Sequence, residues 1–209
     1  MHQDRISDLS GGETGETLTV PTDGLRWKAE AFVDKWNEDK TQYVQRETGV
    51  YAPAAAEFIR LGVDPDDQAY CADNLVVTAG LNRVGDLIIA AGGQAPTNTS
   101  ARIGAGNGAG TAAVGDTDLS AAAGSANRWF QIMDATFPSR AGAVLSFKST
   151  FGTADGNFAW NEWGIDIGTP TVTSGATVNA TLLNHKTSAA LGTKASGATW
   201  AFTVTITLS

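Results

Sequence analysis

The segment FAWNEWGIDI, residues 158–167, carries the side chains of this chain best suited by type to chemistry. Glu162 and Asp166 fall four residues apart, on one face of a strand, with Asp155 in the adjoining Asp155-Gly156-Asn157 turn. Paired carboxyl groups are the machinery of glycoside hydrolysis, one serving as acid and the other as base or nucleophile. Set between Trp160 and Trp163, Glu162 equally suits a buried role, accepting hydrogen bonds from backbone N–H groups. That structural role is the reading preferred here. The two tryptophans also offer flat apolar faces on which a sugar ring could stack.

Other chemistries find fewer parts. Nucleophilic catalysis needs a nucleophile, a base and an orienting group. The histidines are His2, near the N-terminus, and His185, whose polar surroundings Asn184-His185-Lys186-Thr187-Ser188 read as a surface turn. No serine sits in G-x-S-x-G. Cys71 is alone, so no intrachain disulfide forms and a disulfide-stapled scaffold is excluded. Its neighbours Asp66, Asp67 and Asp73 disfavour a thiolate, so it reads as a small buried side chain. Gly104, Gly106 and Ala109 fit G-x-G-x-x-A, but no buried strand is evident before them and no helix after, and G-K-[ST] is missing. Asp64-Pro65-Asp66-Asp67 lacks the glycine and terminal glutamate of a calcium loop, and no Cys/His cluster exists. No catalytic, cofactor-binding or metal-ligating set is therefore assigned, and the expected protein is not an enzyme and uses no cofactor.

Charge narrows the partners. Of 209 residues, the first 70 hold 14 acidic and 7 basic side chains, whereas the remainder hold 8 and 7. Affinity for nucleic acid comes mainly from Lys and Arg neutralising phosphates, so direct binding to DNA is not expected. Residues 1–24 are polar and acidic, unlike a signal peptide, and no segment reaches the roughly 18 apolar residues of a membrane span. The expectation is a product made in the cytoplasm and independent of membranes.

The elements that must position these groups read mostly as β. Residues 1–24 form an acidic arm whose scattered Ile6, Leu9, Leu18 and Val20 cannot offset the entropy of ordering it, so it is expected to lie along a neighbouring subunit. Leu25, Trp27, Ala29, Ala31 and Val33 alternate with polar residues, which is the strand period. Pro53–Leu61 reads as a short helix closed by Gly62, followed by the Asp64–Asp67 turn. Thr78 stands as N-cap of a second helix with the apolar stripe Leu81, Val84, Leu87, Ile88 and Ala91, ended by Gly92-Gly93. Its interior Gly80 and Gly85 suggest close packing on a sheet. Residues 94–127 read as a long Gly/Ala-rich loop held by a partner. Strands are then expected with Trp129, Gln131, Met133, Ala135 and Phe137 on one face, over 143–151, over 158–167 and over 176–183. The clearest is the last, where Trp200, Phe202, Val204, Ile206 and Leu208 alternate with Ala201 and threonines.

The expected fold class is therefore mainly β, a β-sandwich or jelly-roll-like domain with one packed helix and an extended N-terminal arm. Its divisions are an arm at 1–24, a strand- and helix-containing region at 25–93 packing on the β domain, a loop at 94–127 and an antiparallel β-sandwich region at 128–209.

Four stretches, taken in order, carry a resemblance: NLVVTAGLNRVGDLIIAAGG (74–93), ARIGAGNGAGTAAVGDTDLSAA (101–122), FKSTFGTADGNFAWNEWGIDI (147–167) and LLNHKTSAALGTKASGATWAFTVTITLS (182–209). Their elements are Asn74 and Gly80, Ile103 to Gly106, Asp116 to Leu119, Glu162 to Ile165, and Trp200 to Leu208. The order resembles a group of tailed-bacteriophage virion proteins. Residues 1–73 depart from it. The resemblance implies no catalytic residues and a structural protein, a capsid decoration or minor capsid component assembled in the host cytoplasm. The implied partners are other virion proteins, the major capsid protein or tail proteins, and further copies of itself as a homo-oligomer. Contact is expected through Ile6, Leu9, Leu18 and Val20 of the arm and Ile103 and Leu119 of the loop. The alternative is a tail or fibre component binding host glycans through Trp160 or Trp163.

Overall fold

The computed structural model describes residues 26–169 and 172–209. The arm, with Ile6, Leu9, Leu18 and Val20, lies outside the described residues. In chain order the elements are β1 (Trp27–Trp36), α1 (Glu38–Thr48), α2 (Ala55–Arg60), β2 (Asp67–Ala72), β3 (Leu75–Val76), α3 (Thr78–Ile88) and β4 (Ala101–Gly106). They continue with β5 (Arg128–Ile132), β6 (Ser139–Ala141), β7 (Val144–Phe151), β8 (Glu162–Ile167), β9 (Asn184–His185) and β10 (Thr199–Leu208).

Two antiparallel sheets make a β-sandwich-like domain. The larger has the order β2-β1-β10-β7-β6, the smaller β5-β4-β8, and β3 pairs separately with β9. The expected alternation builds the larger sheet. Ala29, Ala31 and Val33 of β1, Phe202, Val204 and Ile206 of β10, and Phe147 and Phe151 of β7 are buried on its inner face. There they meet Ile103 and Ala105 of β4 and Trp163, Ile165 and Ile167 of β8 in one core. β10 lies between β1 and β7, with Trp27 opposite Leu208 and Trp36 opposite Thr199 at the two ends of the β1 ladder. The first strand is thus part of the sandwich and does not merely pack on it.

A second core lies on the outer face of this sheet. Trp36 stacks on Phe58 of α2 at 4.4 Å between ring centroids, and Val44 of α1, Ala55 and Ala201 complete the cluster. α2 agrees with the expected helix, and Gly62 takes φ +67° just past its end. α1 was not anticipated. Only Thr41 and Val44 of it are buried, too few for an apolar stripe. Its ends were nevertheless written in the residues: Asn37 caps the first turn through Lys40 N–H, and Gly49 closes it in the left-handed conformation.

Several boundaries differ from expectation. The loop assigned to 94–127 contains β4, the central strand of the smaller sheet. The strand over 129–137 stops at Ile132, and its buried face carries Arg128 and Phe130 instead of Trp129 and Gln131. The strand over 158–167 starts only at Glu162, and 176–183 contributes isolated bridges at Ala176 and Leu182. α3 begins at Thr78 itself, with Val77 at the cap position and no side-chain cap. The first turn is satisfied differently, since Thr78 N–H donates to Val114 O at 2.7 Å. Gly80 does permit close packing: a Cβ there would stand 2.1 Å from Leu183 O, whereas one at Gly85 would meet nothing. The apolar stripe of α3 is largely uncovered, with Leu81 59% and Ile88 75% exposed.

Candidate functional site

The smaller sheet gathers the ionisable groups. β4 runs between β5 and β8 with Gly104 opposite Phe130 and Gly164, and Gly106 opposite Arg128 and Glu162. A Cβ on Gly104 would stand 2.3 Å from the Phe130 ring, and one on Gly106 2.5 Å from Glu162 Oε1. The glycines therefore make room for neighbouring side chains, which accounts for the G-x-G pattern without a phosphate.

Glu162 is fully buried and accepts four hydrogen bonds. Oε2 takes Ser120 N–H at 2.9 Å, the Ser120 hydroxyl at 2.5 Å and His185 Nε2 at 2.8 Å, while Oε1 takes Ala121 N–H at 2.7 Å. The second ring nitrogen of His185, Nδ1, lies 2.6 Å from Asp116 Oδ2. Asp116 also accepts Ala113 N–H at 2.8 Å. An ionised carboxylate only accepts, so an imidazole between two of them bonds to both as the doubly protonated cation. Burial works against that charge, but the bonds to Glu162 and Asp116 outweigh it and raise the His185 pKa above its ordinary value. Burial likewise pushes the Glu162 carboxyl up, yet the bonds from His185, Ser120 and Ala121 prevail and hold it at about 2. Asp116 is also lowered: burial opposes, and the Ala113 N–H and His185 win.

The neighbouring residues of the Asp116-Thr117-Asp118-Leu119 element are equally engaged. Asp118 pairs with Arg128 at 2.8 Å, Thr117 O accepts from Asn179, and Leu119 packs with Val77, Phe130 and Leu182. Beside them Arg102 and Asp166 form a buried ion pair, and Asp166 Oδ1 accepts Ala180 N–H at 2.8 Å and Thr181 N–H at 3.0 Å. Burial raises the Asp166 pKa, with the Arg102 charge opposing. Arg102 also lies 4.9 Å over the Phe130 ring.

Chemically this is a clamp. A carboxylate held at about 2 is a feeble base, and the N–H groups of Ser120 and Ala121, which could have faced a developing oxyanion, are already bonded to it. The ionic chain instead ties residues 113–121 to β8 and β9. The expected role of Glu162 as an acceptor of backbone N–H bonds agrees with this geometry.

Other expectations are corrected. His185 is buried and doubly paired, because β9 places it against β3 and beside β8 and not in a surface turn. Ile103 and Leu119 are buried within the chain's own cores and are not available to a partner. Trp160 and Trp163 are also fully buried, so neither can stack on a glycan. Cys71 is half-buried on β2, accepts Trp163 Nε1–H at 3.2 Å, and burial raises its thiol pKa. Asp155 turns back on its own loop, accepting Gly152 N–H at 2.9 Å. Among the described residues no group of three or more His, Cys, Asp or Glu could hold a metal, and no helix is long and apolar enough to cross a membrane.

The clamp carries a pH dependence. His185, with its raised pKa, contributes stability in full below its unfolded value of about 6.5, and loses it as pH rises through the folded value. Glu162 contributes in full above about 4.5 and loses its part as pH falls toward about 2. The melting-temperature difference between the wild type and His185→Gln is thus expected to peak between about pH 4.5 and 6.5. A difference that rises as pH approaches about 6.5 and then stays level to pH 9 in thermal melts would show that His185 is neutral in the fold.

Comparison of the chain with protein-family models, with curated proteins and with solved structures found no match.

Proposed function

We propose that this chain is a structural component of a tailed-bacteriophage particle, a capsid decoration protein that acts through protein–protein contacts. The order of motifs over residues 74–209 supports the phage assignment. The observation that carries a docking role is the apolar surface around α3. Ile88 and Ile89 are each 75% exposed, Leu81 lies two turns back on the face of Ile88, and Val114, 62% exposed, sits beside the first turn. Leu81, Leu87 and Ile88 line one continuous apolar groove, and monomeric proteins rarely leave such a surface without a partner. The clamp complements it: with Asp116, Asp118 and Leu119 fixed, Val114 is presented on a segment already ordered, which lowers the entropy lost on contact. Weak contacts repeated by particle symmetry then add up to high avidity.

Binding of the full chain to DNA-free capsids of the phage that encodes it tests the reading. The expected result is saturable binding at a fixed ratio to the lattice. Ile89→Asp and Val114→Asp should each weaken it about tenfold, equivalent to about 1.4 kcal/mol, with melting temperatures unchanged because both side chains face solvent. Absence of saturable binding, or binding indifferent to both charges, would set the proposal aside.

A further inference from the structure

The turn that follows β7 and the segment that leads into β10 lie against each other. Lys194 N–H donates to Phe158 O at 3.0 Å, Gly197 N–H donates to Thr153 O at 3.1 Å, and Ala159 bridges Thr193. This contact carries the Lys194 side chain inward, where the residue is 1% exposed. A lysine so deeply buried is ordinarily paired with a carboxylate. Among the described residues Lys194 bonds instead to two neutral carbonyl oxygens, Gly152 O at 2.7 Å and Asn157 Oδ1 at 2.8 Å. Burial pushes its pKa down to about 8, with the Asp155 charge opposing, so roughly a tenth of the amine is uncharged at neutral pH. Neither the clamp nor the apolar patch uses this group.

An uncharged amine suits the setting. It has two hydrogens, one for each carbonyl, and keeps a lone pair. Asn157 Cγ lies one C=O bond, about 1.23 Å, behind the accepting oxygen, so it stands within about 4 Å of Nζ. Reacting atoms in near-attack geometry are about 3–3.5 Å apart, and swinging Oδ1 aside lets the amine close that difference. The far end of the amide is held as well, since Asn157 Nδ2 donates to Thr153 O at 3.0 Å. A primary amide is inert towards a free amine in water. Held together by the fold, the two groups gain an effective concentration on the order of 10⁵–10⁸ M.

We infer that Lys194 and Asn157 join in an intramolecular isopeptide bond. Nζ attacks Cγ, the new C–N bond replaces Cγ–Nδ2, and one proton passes from Nζ to Nδ2, so that ammonia leaves and a secondary amide remains. No oxidant, metal or co-reactant enters the balance. Asp155 lies in the same turn, its Oδ2 accepting Gly152 N–H at 2.9 Å, and its carboxylate can relay the proton. The bond closes a covalent ring over residues 157–194. That ring contains β8 and β9, and with them Glu162 and His185 of the clamp. The inference stands apart from the capsid reading.

Full-length protein, shown to be folded by a cooperative thermal melt and held at pH 8, is then denatured and weighed by electrospray mass spectrometry. The expected mass lies about 17 Da, one ammonia, below the sum of the residues. Tryptic digestion should give a branched peptide joining Asn157 to Lys194, uncut after Lys194 because acylation removes the charge that trypsin reads. Lys194→Arg and Asn157→Ala should each return the full mass. A wild-type mass equal to the residue sum overturns the inference. So does a loss of that size that maps to Asn107-Gly108, where cyclisation of an asparagine onto the next backbone nitrogen releases the same ammonia. Persistence of the loss in Lys194→Arg also sinks it.

Discussion

Glu162→Gln is expected to lower the melting temperature by roughly 6–20 °C. The carboxylate accepts from Ala121 on one oxygen and from Ser120 and His185 on the other. An amide turns one of those acceptors into a donor, so whichever way it is set, an N–H group faces another N–H. It also leaves the buried imidazolium with Asp116 as its remaining counter-charge. Breaking a buried pair from one side costs about 3–5 kcal/mol, and a domain of this size loses about 2–4 °C per kcal/mol. Thermal melts followed by circular dichroism measure the effect. Limited proteolysis should show residues 107–121 cut faster than in the wild type, since their tether to β8 is gone. An unchanged melt accompanied by loss of a glycan-cleaving activity would move Glu162 from clamp to catalyst.

Trp160→Ala is the second large effect, expected at about 3–5 kcal/mol. The indole lies between the sheets at 4.5 Å from the Phe151 ring centroid, 4.9 Å from Trp200 and 5.6 Å from Phe202, and its N–H donates to Gly156 O at 2.8 Å. Removing it opens a cavity at the junction of β7, β10 and the 152–161 loop, which neighbouring rings cannot fill without leaving their rotamers. Denaturant unfolding should show a lower midpoint with little change in slope. A variant of wild-type stability that selectively loses binding to host sugars would contradict this placement and revive a surface role for the residue.

The clamp was half legible in the residues. Glu162 announced itself as a carboxylate among tryptophans, and its backbone N–H partners were expected in kind. His185 and Asp116 were not joined to it, because the pairs lie 23 and 69 residues apart and nothing local marks them. The polar neighbours of His185 suggest a turn, yet the pairing of β9 with β3 takes the ring inward. Asp116 to Leu119 stood out as a motif, but its meaning required Arg128, Asn179, His185 and Phe130 to be brought around it by the smaller sheet.

Where one face of a strand meets the core and the other does not, side chains must alternate, so β1, β7 and β10 could be read from residue types alone. α2 was equally readable, since proline and glycine impose its ends whatever the rest of the chain does. The sequence by itself thus determined a mainly β fold and the three central strands of its larger sheet, but not the edge strands β2 and β6 or the pairing order. β4 was decided by tertiary structure: every residue of Ala101–Gly106 is buried, so it has no polar face and no period, and its glycines answer to Phe130 and Glu162 on other strands. The ionic clamp is of the same kind. Its charges tolerate burial because partners remote in the chain arrive together, and that convergence depends on which strands lie side by side, something no local pattern encodes.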